Sequence, residues 1–154
     1  MVTTGTFALT PDVARTLQGI AARGEALQEG VFRSGPVGIA GTAYRPPSGD
    51  GLAVVLERSF LKMAESAARL ANPYERGMAV FLHVARSQSF WDGNKRTGRL
   101  LMNGVLLAAG QDIITVPAER RLDYNQKMLA FYESGDGTEM MKFLSILQIR
   151  SRFE

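Results

Sequence analysis

The chain has 154 residues, of which 45% are hydrophobic and 21% charged, enough length and apolar content for one domain with its own core. It carries no cysteine and a single histidine, which excludes a disulfide framework, a thiolate site and any multi-histidine metal site built from this chain alone. A formal charge of +3 falls short of the clustered excess that marks nucleic-acid binding, so no specific nucleic-acid partner is expected. The N-terminal residues Met1 to Thr6 lack the basic start and apolar run of a secretory signal. No apolar stretch approaches the ~20 residues of a membrane span. A cytoplasmic protein without a membrane partner is the expectation.

Along the chain, Thr10-Pro11-Asp12 supplies a hydroxyl cap, a first-turn proline and an acid at the positive end of a helix. Val13, Leu17, Ile20 and Leu27 then recur at helical spacing until Gly30 and Gly35-Pro36 end the element. Residues 37–45, alternating and punctuated by glycine, predict a short β-hairpin closed by Pro46-Pro47. Leu52, Leu56, Phe60, Met63, Ala67 and Leu70 form an apolar stripe that predicts a second helix from about Gly51 to Ala71. Asn72-Pro73 stops and restarts the chain, and a third helix carries Met78, Leu82 and Ala85 toward Gln88.

From Leu100 to Ala109 nearly every side of the next helix is apolar, as expected of the centre of a bundle. Gly110 ends it, and Ile113 to Val116 form an extended link. Pro117 opens a helix through Leu122, Leu129 and Tyr132, and a last helix is marked by Met140, Phe143, Leu144 and Leu147. The pattern gives a mostly α fold, one helical domain over residues 1–154 with its core at about 10–148 and a small hairpin near its start.

The chemistry concentrates in the polar loop just before the buried helix. Helix N-termini offer unpaired backbone N–H groups and partial positive charge, so they attract anions. Arg96 and Arg99 fall in that helix's first turn, against the dipole preference and on a helix otherwise buried. A bound phosphate chain would resolve both conflicts through bidentate guanidinium contacts. Asp92 adds a hard oxygen ligand suited to Mg²⁺, Gly93 leaves room for close backbone approach, and Asn94 can cap the helix or touch phosphate. The alternative is an ordinary capped helix whose arginines pair with nearby acids.

The string Phe90-Trp91-Asp92-Gly93-Asn94-Lys95-Arg96-Thr97-Gly98-Arg99 resembles the signature of the Fic family, His-Pro-Phe-x-Asp/Glu-Gly-Asn-Gly-Arg-x-x-Arg. The likeness extends to Gly30-Val31-Phe32-Arg33, Val37, Ile39, Pro46-Pro47, Asn72-Pro73, Leu100 to Asn103 and the stretch from Gly110 to Tyr124. The resemblance implies a Fic-like helical bundle with a hairpin flap that uses Mg²⁺ and ATP, or another nucleoside triphosphate, to transfer AMP to a hydroxyl of a target protein. It would make Asp92 the metal ligand, place Gly93, Asn94, Lys95, Arg96 and Arg99 around the phosphates, and dock the target on residues 37–45 as an added strand. The resemblance would put Tyr124 near the base pocket, but it reads first as a half-buried core tyrosine.

Two positions depart from that pattern. Gln88 stands where the family carries its catalytic histidine, with Ser89 in place of the proline. An amide cannot accept a proton near neutral pH, and a general base typically contributes ~10²–10⁴ in rate, so AMP transfer is expected to be weak or altered. His83, five residues upstream, falls well off the face of Gln88 and reads as structural. Lys95 replaces the glycine of AMP-transferring members and resembles the Doc branch, which transfers a terminal phosphate. The string from Glu25 to Gly30 comes nearest to the family's inhibitory motif, but it reads as the exposed end of the first helix. The rival expectations are an inactive nucleotide- or target-binding module, a Doc-like phosphotransferase, and a scaffold that uses only the hairpin.

Overall fold

The structure, a computed structural model, describes residues 7–151. Residues 1–6, on which the reading of the N-terminus rests, lie outside them. Helix α1 spans Pro11–Ala21, and its Thr10 cap accepts from the Val13 N–H at 3.3 Å. It ends sooner than the apolar spacing suggests. Ile20 is 60% exposed and Leu27, beyond the helix in a run of turns, is 77% exposed. The residues that α1 buries completely are Ala14 and Gln18. The glutamine goes inward because both ends of its amide are bonded: Nε2 donates to the Asp92 carbonyl at 3.1 Å and Oε1 accepts from the Gly30 N–H at 2.5 Å.

Helix α2, Leu52–Ala68, buries Leu52, Leu56, Phe60, Met63 and Ala67, as the stripe predicts. Helix α3, Pro73–Ser87, starts at Asn72, whose side chain accepts from the Tyr74 N–H at 2.9 Å. Helix α4, Asn94–Ala108, lies closely against α3. A Cβ at Gly98 would sit 3.0 Å from the Phe81 carbonyl oxygen, so only glycine permits this approach. The pair forms the wall between two apolar clusters. Phe81, Leu82, Met102 and Leu106 face one, with Met128, Phe131, Phe143 and Leu144 of the last two helices. Val80, Val84, Leu101 and Val105 face the other, with Leu56 and Phe60 of α2. The α4 helix is thus central, as expected, although Leu100 and Leu107 emerge along one edge.

Residues 111–117 form no regular secondary structure, and Asn103 anchors them by accepting from the Ile114 N–H and donating to its carbonyl. Pro117 then leads into a 3₁₀ turn, Ala118–Arg120, before α5, Arg121–Ser134, and α6, Thr138–Ser151. Leu122 is 71% exposed, and α5 instead packs through Tyr124, Met128, Phe131 and Tyr132.

The expected hairpin is not confirmed by the structure. Residues 36–48 run out and back around a turn at 40–41, and no strand forms among the described residues. Pro46 and Pro47 lack the N–H groups a ladder would need there. Side chains hold the loop instead. Tyr44 donates to the Arg86 carbonyl at 3.1 Å, Thr42 donates to Glu133 at 3.2 Å, and the roots are fixed by Arg33.

Candidate phosphate-binding cleft

Helix α3 ends at Gln88, whose backbone is left-handed (φ 47, ψ 55), the one non-glycine residue with positive φ among those described. That conformation costs a residue with a Cβ about 1 kcal/mol, and its surroundings hold it in place. Arg33, fully buried, donates to the carbonyls of Gln88, Ser87 (3.2 Å), Gly35 (2.8 Å) and Pro47 (2.8 Å). The guanidinium thus caps the negative end of α3 without a carboxylate partner among the described residues. Burial lowers its pKa from the usual arginine value. The neighbouring backbone joins in: Arg33 N–H donates to the Ser89 carbonyl at 3.1 Å, Phe32 bridges to Phe90, and the two rings stack at 5.0 Å.

Asn94 closes the loop from the other side. Its Oδ1 accepts from the Phe90 N–H and its Nδ2 donates to the Phe90 carbonyl, both at 2.9 Å. The same Nδ2 donates to Gln88 Oε1 at 3.2 Å, while Gln88 Nε2 donates to the Ala85 carbonyl at 2.6 Å. The Asn94 side chain therefore shapes the loop, and its place at the start of α4 offers backbone N–H to a ligand. Gly93 has φ 73, and a Cβ there would lie 2.9 Å from that of Ala22. The loop is pressed onto the turn after α1, where only glycine fits.

These elements border a cleft of about 530 Å³. The start of α4 contributes Asp92 to Arg96 together with Arg99, α5 contributes Arg121, Tyr124, Asn125 and Tyr132, and residues 38–40 border it too, as does Gln88. The Arg99 guanidinium lies 5.6 Å from the centre of the Tyr124 ring and Lys95 Nζ lies 6.0 Å from it. Burial, and then the Arg99 charge, lower the Lys95 pKa below the ordinary lysine value. Among the described residues neither cation has a carboxylate partner. Arg96 differs, because it pairs with Glu25 on the turn after α1. The hydrogen bond to Arg96 holds the Glu25 carboxyl below the usual carboxylate range.

The string containing Glu25 is therefore not a helix end. It packs on the loop, where Gln28 also accepts from the Trp91 indole at 3.3 Å. Asp92 is exposed and is the only carboxylate among the residues lining the cleft; its Oδ1 accepts from the Gly93 N–H at 2.5 Å. The described residues hold no cluster of three or more potential metal ligands. A single carboxylate fits Mg²⁺, which keeps waters and takes phosphate oxygens, better than a metal caged by protein. His83 is away from the cleft, with Nε2 3.2 Å from Ser59 Oγ and its pKa lowered by burial, as a structural histidine should be.

The family model described as Fic/DOC family matches residues 8–106. The chain belongs to the Fic/DOC family. It is 27% identical over 119 residues to the protein adenylyltransferase Fic of Drosophila mojavensis, covering 77% of this chain and 23% of that protein. The Drosophila melanogaster protein of the same name is also 27% identical over 119 residues, with 77% and 24% covered. The chain thus spans about a quarter of the length of these curated relatives. Among solved structures, Fic-1 (residues 134–508) of C. elegans superposes with a TM-score of 0.75 at 17% identity, covering 98% of this chain and 43% of that one. A Fic domain containing signalling protein from Bacteroides thetaiotaomicron gives 0.68 at 21% identity, covering 97% and 63%. The helical Fic fold follows from these likenesses. No helix among the described residues is long and apolar enough to cross a membrane.

Sequence reasoning missed Gln18, Arg33, Arg121 and Tyr132 as contributors to the site. Arg33 alone carried a signal, in the resemblance of Gly30 to Arg33 to the family's flap lead-in. Gln18 turns inward from a helix face that gave no hint of it, Tyr132 reads in the sequence only as part of an apolar series, and Arg121 borders the cleft from an exposed position.

Proposed function

We propose that this Fic/DOC chain binds the phosphate chain of a Mg²⁺-nucleoside triphosphate, ATP by analogy with the adenylyltransferase relatives, and that its transfer chemistry is weak or altered. The observation that carries the reading is the start of α4, where Lys95 and Arg99 border the cleft without carboxylate partners among the described residues, beside the first-turn backbone and Asp92. Such an arrangement favours a polyanion with a metal. Asp92 would hold the Mg²⁺, which when bound offsets negative charge on the phosphates. Lys95 and Arg99, with the backbone of Gly93 and Asn94, would hold the phosphate oxygens, and Arg96 would join them on leaving Glu25. An extended segment of a target protein would lie along residues 37–45.

AMP transfer requires a target hydroxyl oxygen to bond to the α-phosphorus while the bond to the β-phosphate oxygen breaks and pyrophosphate leaves. The hydroxyl proton must then go to a base. Gln88 cannot take it, and its amide is already engaged by Ala85 and Asn94. That engagement favours, as a second reading, a module that binds nucleotide or target without chemistry.

Incubation with a cell lysate and ATP labelled at the α- or the γ-phosphate separates the cases. Weak α-label transfer supports an altered adenylyltransferase, and γ-label transfer supports a Doc-like phosphotransferase. Nucleotide binding without either supports the module. Absence of polyphosphate binding, with no effect of Arg99→Ala, overturns the phosphate site.

A further inference from the structure

The peptide that joins Asp92 to Gly93 is trans, so its carbonyl and its N–H point in opposite directions. The carbonyl is turned toward α1, where the wholly buried Gln18 donates to it through Nε2 at 3.1 Å. The Gly93 N–H therefore faces away from α1, and it donates to Asp92 Oδ1 at 2.5 Å. Sterics alone do not choose this orientation, because glycine accepts φ of either sign and the peptide before it can turn over. Gln18 is held at its other end too, where Oε1 accepts from the Gly30 N–H at 2.5 Å. Asp92 is exposed, and the bond from Gly93 is the only hydrogen bond its carboxylate makes among the described residues. The direction of the carboxylate thus depends on an N–H whose own direction depends on Gln18. An outer hydrogen bond of this kind sets where a carboxylate presents its free oxygen to a metal, and losing one typically costs about 10- to 100-fold in metal affinity.

We propose that Gln18 is a positioning residue for the metal: by holding the 92–93 peptide it aims the Asp92 carboxylate, and it leaves the contacts of Lys95 and Arg99 with the phosphates untouched. This rests on the phosphate and metal reading above and adds the buried residue that sets the affinity for the metal. Gln18→Met keeps the length of the side chain but has no N–H to donate. The Asp92 carbonyl then loses its partner, and the peptide loses its fixed direction.

Calorimetry of pyrophosphate binding, in excess EDTA and with saturating Mg²⁺, gives the factor by which the metal tightens binding. In Gln18→Met that factor is expected to fall about tenfold, or to one if it is smaller, while affinity in EDTA stays within about twofold of wild type. Leu147 is buried on α6, which does not border the cleft. Leu147→Ala should therefore lower the melting temperature and leave the factor unchanged, so lost stability alone does not imitate the effect. In an Asp92→Asn background Gln18→Met should change the factor no further, because it acts through that carboxylate. An unchanged factor in folded Gln18→Met overturns the inference, as does a loss in EDTA as large as the loss with Mg²⁺. Should the methionine variant not fold, the wild type decides: the ¹⁵N-labelled Gly93 amide should shift when Mg²⁺ joins the pyrophosphate complex, and an amide that stays in place overturns the inference. If Mg²⁺ adds nothing to pyrophosphate binding by wild type, the metal reading falls and takes this inference with it. If pyrophosphate binds under neither condition, the phosphate reading falls as well.

Discussion

The carboxylate of Glu25 pairs with the guanidinium of Arg96, 71 residues further along the chain, across the seam between the turn after α1 and the first turn of α4. Arg96 borders the cleft, so its charge is shared between an internal acid and whatever anion enters.

Removing that acid should therefore release the arginine. Glu25→Gln is expected to raise the affinity for Mg²⁺-polyphosphate by several-fold, with a steeper dependence on salt because one more free cation meets the ligand. Both partners are substantially exposed, so melting temperature should hardly change. Calorimetry at two ionic strengths checks the first point, and an affinity unchanged from wild type would show that Arg96 does not meet the ligand.

Lys95 gives a pH dependence. Its pKa is lowered, first by burial and then by Arg99. Because the charged form is the one that attracts phosphate, affinity should be complete below the depressed pKa and fall as pH rises through it, earlier than an ordinary lysine near ~10.4 would allow. Lys95→Arg should keep affinity to higher pH, and Lys95→Met should bind more weakly with no such fall. Titrations of pyrophosphate binding between neutral and alkaline pH read this directly.

Arg33 carries a different burden, because its guanidinium serves four carbonyls in the interior. Arg33→Met leaves those oxygens unpaired and should cost roughly 2–5 kcal/mol in urea unfolding. Arg33→Lys restores charge without the planar fork and should recover only part of the loss. A loss below about 1 kcal/mol for the methionine variant would mean that water replaces the arginine.

On the proposed reading, the transfer chemistry would turn on Gln88. Gln88→His would supply the missing base, and AMP transfer from α-labelled ATP should rise above wild type. The gain would also depend on Lys95, if it bears on how the phosphates sit. The double change Gln88→His with Lys95→Gly should exceed either single change, since neighbouring groups in one site need not act additively. Wild-type activity equal to that of the revertants would mean that the site works without a side-chain base at this position.

The legible parts of the sequence were those governed by periodicity and caps. Leu52 to Ala67 and Met140 to Leu147 bury the residues their spacing marks, because repeated apolar positions outweigh local detail. The motif from Gln88 to Arg99 likewise announced where the cleft would lie. What stayed hidden was decided by single polar contacts across long sequence separations. Gln18 turns inward for two backbone groups, and Glu25 leaves its presumed helix for an arginine. Residues 37–45 alternate like a hairpin, yet Arg33, Tyr44 and Thr42 hold them without a ladder. No local pattern records such pairings.

The two carbonyls that Arg33 takes from Gly35 and Pro47 have a consequence for how this chain could vary. The segment between them departs and returns at one guanidinium, so its ends are pinned however its middle is built. Lengthening such a closed excursion costs little, about 0.6 kcal/mol for each doubling of its length. Residues 36–46 are therefore a segment whose length can change while Arg33 keeps its ends, and the end of α3 that Arg33 caps, in place.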